Sequence, residues 1–172
     1  MPLDLKQFIR DVPDFPQAGI LFRDITPLLE NAEAFQAALS QFHLLLKDEK
    51  IDKIVAVESR GFIFGAPLAG RMGVGFAMAR KQGKLPSDKV SVSYDLEYGT
   101  NTIEMHSDSI TKGERIFIID DVLATGGTAG ATASLVEELG GVVTGLAFLI
   151  ELKFLEGRKS LFGRTVYTVI EY

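Results

Sequence analysis

Short apolar runs alternate with helical segments along most of this 172-residue sequence, and no other feature constrains the possible folds as strongly. The runs are almost continuously apolar, as is typical of buried strands, and span residues 53–57, 74–78, 115–119 and 142–150. Helical spacing of apolar residues predicts helices over 62–72 and 128–139. Strands and helices that alternate at these lengths indicate βαβ units, and therefore an α/β fold whose mostly parallel sheet is covered by helices on both faces.

Smaller elements are predicted outside this alternation. They are a short helix over 5–12, irregular chain over 12–19, a short strand at 20–22, a helix with Thr26 as N-cap and Pro27 in its first turn, a long amphipathic helix over 32–47, a polar turn over 80–89, hairpin strands at 90–94 and 102–105, and a last strand over 165–170. Because few strands precede Lys53, we expect residues 1–30 to pack as an appendage on a core of residues 31–172. The length itself fits one domain.

Composition and charge exclude several classes of function. The formal net charge of −5 argues against sequence-independent binding of nucleic acid, which needs a basic face. The chain has no cysteine, so thiolate catalysis and Cys-ligated zinc are excluded, and its two histidines argue against a His-rich metal site. The N-terminus has no apolar stretch typical of a secretory signal, and no apolar run approaches the length of a membrane span. We therefore expect a cytoplasmic protein with no nucleic-acid partner and no membrane partner.

Residues 116–128 carry the strongest local signal in the sequence. A buried strand ends in Asp120 and Asp121, and a short Gly-rich loop then leads into a helix at Thr128. Ligands of open α/β sheets bind at the carboxyl ends of the strands, and a Gly-rich loop at a helix N-terminus presents N–H groups and a positive dipole end to phosphate. The two carboxylates suit sugar hydroxyls or a phosphate-bound Mg²⁺. The run lacks both the lysine of a P-loop and the Gly-x-Gly-x-x-Gly dinucleotide pattern.

Three further segments are candidates for ligand binding. The turn over 58–61 follows a buried strand and carries an arginine, which suits an anion. Segment 80–84 holds three cations in an otherwise acidic chain, which suits a diphosphate. Residues 94–101 are polar with a central glycine, as in a mobile lid. From the residues alone, a solvated turn, a charged loop and an ordinary hairpin remain alternative interpretations of these three segments.

These motifs, in this order, resemble the type I phosphoribosyltransferases, and nearly the whole chain resembles the branch of that family that acts on adenine. Besides residues 116–128, the resemblance is carried by segments 14–27, 58–62, 80–86 and 94–99. Glu58 departs from the pattern, since many members have Asp there. The resemblance implies a twisted, mostly parallel sheet flanked by helices, with residues 1–30 as a small hood and a flexible lid loop. It also implies that adenine and phosphoribosyl diphosphate (PRPP) react to give AMP and pyrophosphate, with Mg²⁺ as cofactor in a homodimeric enzyme.

The resemblance further implies roles for individual residues. Glu97 is the candidate general acid/base on the purine, and Tyr98 closes the lid. Asp120 and Asp121 hold the ribose hydroxyls and favour a cationic ring, and Arg60 completes the catalytic set. The other implied roles are phosphate binding by Ala124, Thr125, Gly126, Gly127 and Thr128, pyrophosphate binding by Glu58, Ser59, Arg60, Arg80, Lys81 and Lys84, and adenine binding by Leu21, Phe22, Arg23 and Arg60.

Three features of the implied site concern its surroundings. The turn at residues 58–59 often contains a non-proline cis peptide bond in this family. One cation of segment 80–84 can reach the site of the neighbouring subunit. No side chain is assigned as a direct Mg²⁺ ligand, because PRPP itself holds most of the metal's coordination shell.

Three alternatives stay open at this point. The first is a phosphoribosyltransferase for xanthine or hypoxanthine/guanine, because base choice can depend on one backbone contact. The second is a non-catalytic regulator of the same fold that senses PRPP or a purine while binding nucleic acid, against which the net charge of −5 counts. The third is a nucleotide-binding module without catalysis, which would leave Glu97 and the two anion-binding segments unexplained.

Overall fold

The computed structural model describes residues 3–95 and 99–172. Its β-strands are β1 (Arg10–Pro13), β2 (Leu21–Asp24), β3 (Lys53–Val57), β4 (Gly75–Lys81), β5 (Lys89–Asp95), β6 (Thr100–His106), β7 (Arg115–Leu123), β8 (Val142–Glu151) and β9 (Val166–Glu171). Its α-helices are α1 (Thr26–Glu30), α2 (Ala32–Leu46), α3 (Arg60–Met72) and α4 (Gly127–Glu138), and 3₁₀ turns lie at Leu5–Phe8, Lys153–Leu155 and Gly157–Leu161.

A seven-stranded sheet forms the centre of the described chain, in the order β5-β6-β4-β3-β7-β8-β9. Strands β4, β3, β7, β8 and β9 pair in parallel, and β5 and β6 form an antiparallel hairpin beside β4. Helix α3 connects β3 to β4, and α4 connects β7 to β8, as in βαβ units. The predicted α/β fold with a mostly parallel sheet flanked by helices is confirmed.

Apolar side chains fill both faces of this sheet. Phe42 of α2 and Phe64 of α3 are fully buried on one face, and Leu135 of α4 is fully buried on the other. Burial of each such side chain contributes roughly 1.5–3 kcal/mol to folding. The two layers hold the carboxyl ends of β3 and β7 side by side, which is where the candidate site lies.

The N-terminal region differs from its sequence-based prediction. The helix expected over 5–12 is wrong beyond Phe8, because Val12 lies in β1 and pairs with Phe22 of β2. This pairing between distant segments outweighs the local helical spacing. At α1, the expected N-cap Thr26 is also wrong by one position, since Ile25 is the N-cap and the Asp24 carboxylate accepts hydrogen bonds from the backbone N–H and hydroxyl of Thr26.

Two further boundaries differ near the predicted site. Arg80 and Lys81 belong to β4 instead of a turn, since they pair with Glu104 and Ile103 of β6. Strand β7 does not end before the two acidic residues but continues to Leu123, because it keeps pairing with β8. The polar residues at the carboxyl ends of β4 and β7 therefore belong to the strands themselves.

Strands β1 and β2 form a separate two-stranded antiparallel sheet. Phe15, between the two strands, packs edge to face on Phe22 of β2 with ring centroids 5.2 Å apart, and the Arg23 guanidinium lies 3.8 Å from the centroid of the Tyr172 ring. The division into a hood of residues 1–30 and a core of residues 31–172 stays a prediction. None of the helices in the described part of the chain combines the length and the apolar character that crossing a membrane requires.

Candidate active site

A cavity of about 870 Å³ opens at the carboxyl ends of β3 and β7. It brings together most of the predicted site residues. Those on its wall are Leu21, Phe22, Arg23, Glu58, Ser59, Arg60, Lys81, Asp120, Asp121, Ala124, Thr125, Gly126, Gly127 and Thr128. Arg80 and Lys84 lie outside this wall. Glu97 and Tyr98 lie outside the described residues, so the structure says nothing of the predicted acid/base and lid roles.

The loop that joins β7 to α4 is shaped by its backbone. Gly126 is the N-cap of α4 and has a φ of +83°, a conformation that L side chains rarely adopt. Behind the loop, the Ser160 hydroxyl donates a hydrogen bond to the Thr125 carbonyl at 2.8 Å. A methyl group at Gly126 would meet the Gly157 carbonyl and would lie 2.9 Å from Cβ of Ser160. The loop is therefore held from behind, while its residues and the N-terminus of α4 line the cavity.

The acid pair forms part of the cavity wall, near the end of β7. The backbone N–H of Asp121 donates to Oδ1 of Asp120 at 2.8 Å, and Oδ2 of Asp121 lies 2.5 Å from Nε of Arg60. Burial, and then the negative charge of Asp121, raise the pKa of Asp120 well above its ordinary value, whereas Arg60 acts in the opposite direction. Asp120 thus holds a proton more readily than an exposed carboxyl, and a cationic neighbour favours its release.

Helix α3 starts directly against this acid pair. A Cβ at Gly61 would lie 2.9 Å from the Ile119 carbonyl oxygen and 3.0 Å from Oδ1 of Asp120. Only a residue without a side chain lets the first turn of α3 approach the end of β7 this closely. The close approach places Arg60 beside Asp121.

The turn before α3 contains the cis peptide bond that the resemblance implies, between Glu58 and Ser59. The Glu58 carboxylate accepts hydrogen bonds from the backbone N–H of Lys81 at 2.9 Å and from the Arg80 guanidinium at 3.3 Å. Burial works to raise the pKa of Glu58, but these hydrogen bonds and the Arg80 charge lower it below its ordinary value. Glu58 is therefore ionised and bonded to β4, so its contacts differ from those expected of a pyrophosphate ligand.

The cations of segment 80–84 separate in space. Lys81 is exposed on the cavity wall. Arg80 bonds Glu58 and also donates to the Lys84 carbonyl at 3.2 Å. A second carboxylate fixes the turn, because the buried Glu104 accepts a hydrogen bond from the backbone N–H of Gly83 at 3.0 Å. The predicted roles of Arg80 and Lys84 in pyrophosphate binding stay predictions.

The segment that contains β2 contributes an apolar face to the cavity. Leu21 is 43% exposed, and the Phe22 ring centroid lies 5.6 Å from the Arg60 guanidinium carbon. Arg23 pairs with Asp11 besides its stacking on Tyr172. An aromatic ring and a guanidinium group beside one another suit a flat heteroaromatic ligand.

Segment 94–101 is predicted as a lid, and within it the structure places Asn101 of β6 on the cavity wall and bonds Tyr94 to Thr128. Sequence reasoning missed two residues of the site, Leu152 after β8, which lines the cavity, and Ser160, which supports the loop from behind. No local motif marks them. The strand order could have indicated Leu152, because the carboxyl end of β8 lies next to that of β7 in a parallel sheet.

Comparison with known proteins gives first the class of this fold and site. A family model described as a phosphoribosyl transferase domain matches residues 25–160. The chain is 54% identical over 170 residues to the adenine phosphoribosyltransferase of Carboxydothermus hydrogenoformans, covering 99% of this chain and 100% of the relative. It is 56% identical to that of Thermotoga maritima, covering 99% and 98%. The chain belongs to the adenine phosphoribosyltransferase family, as the sequence resemblance implied.

Solved structures agree with this assignment. The crystal structure of adenine phosphoribosyltransferase from Thermoanaerobacter pseudethanolicus matches with a TM-score of 0.96 and 51% identity over 98% of both chains. The enzyme from Saccharomyces cerevisiae, complexed with an imino-altritol bisphosphate and adenine, matches with a TM-score of 0.92 and 41% identity over 96% of both chains.

Proposed function

We propose that this protein is an adenine phosphoribosyltransferase of purine salvage. It transfers the 5-phosphoribosyl group of PRPP to adenine, forming AMP and releasing pyrophosphate. The observation that carries the proposal is the single cavity in which a phosphate-type loop, an acid pair, a cationic wall and an apolar hood meet. Each of these four parts matches one part of the two substrates.

The loop Ala124–Thr128 is proposed to bind the 5′-phosphate. Its amides and the N-terminus of the 12-residue helix α4 provide donors and a positive dipole end. The Ser160 hydrogen bond to the Thr125 carbonyl turns that carbonyl away from an incoming anion. A phosphate group therefore meets donors that are already in place.

Asp120 and Asp121 are proposed to hold the ribose. Breaking the anomeric C–O bond leaves positive charge on the sugar ring, and a neighbouring carboxylate stabilises that charge. Arg60 pairs with Asp121 at 2.5 Å, which places a positive charge beside the acid pair. The raised pKa of Asp120 lets this residue exchange hydrogen bonds with a ribose hydroxyl as either donor or acceptor.

Pyrophosphate is proposed to leave along the wall formed by Ser59, Arg60 and Lys81. Lys81 supplies a positive charge there. Glu58 acts on the backbone of Lys81 and on Arg80, and so sets the position of this cationic segment. Arg80 and Lys84 are proposed to add to its positive field.

Mg²⁺ is proposed as a cofactor that PRPP carries on its diphosphate. Within residues 3–95 and 99–172, no group of three or more acidic, histidine or cysteine side chains is placed to hold a metal ion. Through water molecules, the neighbouring carboxyl groups of Asp120 and Asp121 would help to hold a Mg²⁺ that PRPP carries. Bound in this way, Mg²⁺ supplies positive charge beside the leaving group.

Adenine is proposed to lie against Phe22 and Arg60, with backbone groups near Leu21 reading its edge. Glu97 remains the proposed acid/base for the purine proton, with Tyr98 excluding solvent. A homodimer and a cytoplasmic location complete the proposal. The dimer rests on the implied reach of one cation of segment 80–84 into a neighbouring site. Sedimentation velocity should show a species with twice the mass of one chain.

One assay tests the function directly. The purified protein is incubated with PRPP, Mg²⁺ and either adenine, hypoxanthine, guanine or xanthine, and the mononucleotides are separated by chromatography. We expect AMP from adenine and little product from the other bases. Product from another base in preference to adenine would support the alternative specificity, and no product from any base would overturn the proposal in favour of a sensor.

A further inference from the structure

Tyr94, near the end of β5, makes a contact that the proposed reaction does not use. Its hydroxyl oxygen lies 2.7 Å from the Thr128 hydroxyl oxygen in the first turn of α4. Its ring packs beside Gly127, because a Cβ built there would lie 3.2 Å from Cδ2 of Tyr94. The side chain thus fixes the hairpin of β5 and β6 against the helix end that is proposed to receive phosphate.

The chemistry of the two hydroxyl groups determines which of them donates when a phosphate is bound. Either hydroxyl can donate, but each has a single proton. Phosphate oxygens at neutral pH are mainly acceptors. If Thr128 donates its proton to a phosphate oxygen, the phenol of Tyr94 must donate to Oγ1 of Thr128. A hydroxyl that accepts a hydrogen bond is polarised and becomes a stronger donor.

We propose that Tyr94 is a positioning residue for the 5′-phosphate, which orients the Thr128 hydroxyl so that its proton faces the ligand. The inference rests on the proposed function, since it assumes that a phosphate binds at this loop. Tyr94 acts through Thr128, and its removal should therefore weaken ligands that carry the 5′-phosphate. Ligands without that phosphate should be unaffected.

A purely structural role for Tyr94 would have a different result. Loss of the hydroxyl would then lower the stability of the fold without a selective effect on phosphate. Tyr167 offers a matched control, because its hydroxyl also makes one hydrogen bond of 2.7 Å, to the Glu49 carboxylate, and it does not line the cavity. Tyr94→Phe and Tyr167→Phe therefore each remove a phenol hydroxyl that makes one hydrogen bond of the same length.

The experiment measures the dissociation constants of AMP and adenosine by calorimetry and the KM for PRPP by initial rates. We expect Tyr94→Phe to weaken AMP binding about fivefold and to raise the KM for PRPP similarly, with kcat and adenosine binding nearly unchanged. Tyr167→Phe should change neither AMP nor PRPP affinity. Equal AMP affinity for wild type and Tyr94→Phe would overturn the inference, and so would equal weakening of AMP and adenosine.

A double-mutant cycle tests whether Tyr94 acts through Thr128. Thr128→Val removes the hydroxyl that Tyr94 is proposed to orient, so adding Tyr94→Phe should weaken AMP no further. Fully additive losses would show that Tyr94 acts independently of Thr128 and would overturn the inference. If wild-type protein binds neither AMP nor PRPP, the proposed function itself fails, a result distinct from either of these outcomes.

Discussion

The two ends of the cavity that are proposed to bind phosphate groups are built in different ways. At the 5′-phosphate end, Gly126 and the Ser160 hydrogen bond fix a stretch of backbone. At the pyrophosphate end, long side chains pair with carboxylates of the protein, Arg60 with Asp121 and Arg80 with Glu58. A backbone site is preorganised, so a ligand loses little free energy in ordering it. The side-chain site must exchange ion pairs for ligand contacts, which makes it adaptable.

The acid pair lies between these two ends, and removing its charge should have the largest effect. Asp120→Asn combined with Asp121→Asn keeps the size of both side chains but removes the negative charge beside the ribose. We expect kcat to fall about a hundred- to a thousandfold, as when charge stabilisation of a transition state is lost. Initial rates at saturating adenine and PRPP measure the change.

Asp52→Asn is the matched control for this pair. Asp52 lies outside the cavity wall and pairs with Arg115 at 2.6 Å. The control should keep the wild-type kcat, and circular dichroism should show that both variants are folded. A folded double variant with unchanged kcat would contradict the role given to Asp120 and Asp121.

One added methyl group should disrupt the 5′-phosphate end, which is built from backbone. Gly126→Ala places a side chain at a φ of +83° and presses it against Gly157 and Ser160. We expect kcat/KM for PRPP to fall by about two orders of magnitude below the wild-type value, since a displacement near 1 Å at a site has effects of that size. Gly163→Ala separates the two causes, because Gly163 has a φ of +81° but open space around it. If both variants lose the same activity, the close approach behind the loop is not important for binding.

Substitutions at the pyrophosphate end should reduce PRPP binding less, and the reduction should depend on where the lysine lies. Lys81 lies on the cavity wall and Lys84 outside it, although both are exposed lysines of the same segment. Lys81→Ala should raise the KM for PRPP about tenfold, and Lys84→Ala should raise it less than about twofold. The inhibition constant of pyrophosphate should follow the same order. A larger loss from Lys84→Ala would reverse the assignment and place Lys84 in contact with the diphosphate.

The smallest expected effect concerns stability and pH. Because the pKa of Asp120 is raised, the folded chain holds this proton to higher pH than the unfolded chain, for which the ordinary value is 3.8. Between these two pKa values the folded state binds more protons, so the free energy of unfolding falls as the pH rises. Asp120→Asn removes this loss of stability. At pH values above both pKa values, it should therefore raise the melting temperature by roughly 2–4 °C. Below pH 3.8 the gain should vanish, and a gain of equal size at every pH would contradict the burial argument.

The contrast between the two ends also explains what the sequence could predict. Strand β3 was predicted at the residues where it lies, because a continuous apolar run is a strong local signal. The loop after β7 was also predicted, because its glycines and threonines are contiguous and form an equally local signal. Backbone-built features are encoded locally, and sequence patterns therefore find them.

Features that depend on distant pairings were not predicted. Val12 was expected in a helix, but its pairing with Phe22 of β2 places it in a strand. The cations of segment 80–84 were recognised, but their directions depend on Glu58, 22 residues before Arg80. Tyr94 and Ser160 meet the phosphate loop from positions 34 residues before Thr128 and 35 residues after Thr125. Only the strand order brings such residues together, and one sequence alone does not supply it.

Strand β5 lies at the edge of the sheet and, among the described strands, pairs only with β6, whereas β3 and β7 are paired on both sides. Opening an edge strand breaks a single ladder of backbone hydrogen bonds, so its amide protons exchange with solvent sooner than those at the centre. Through Tyr94 this edge strand contacts the loop that substrate phosphate is proposed to stabilise. Isotope exchange along β5 should therefore slow when the cavity fills, while the centre of the sheet, already protected, stays unchanged. The edge strand would then serve as a built-in reporter of occupancy.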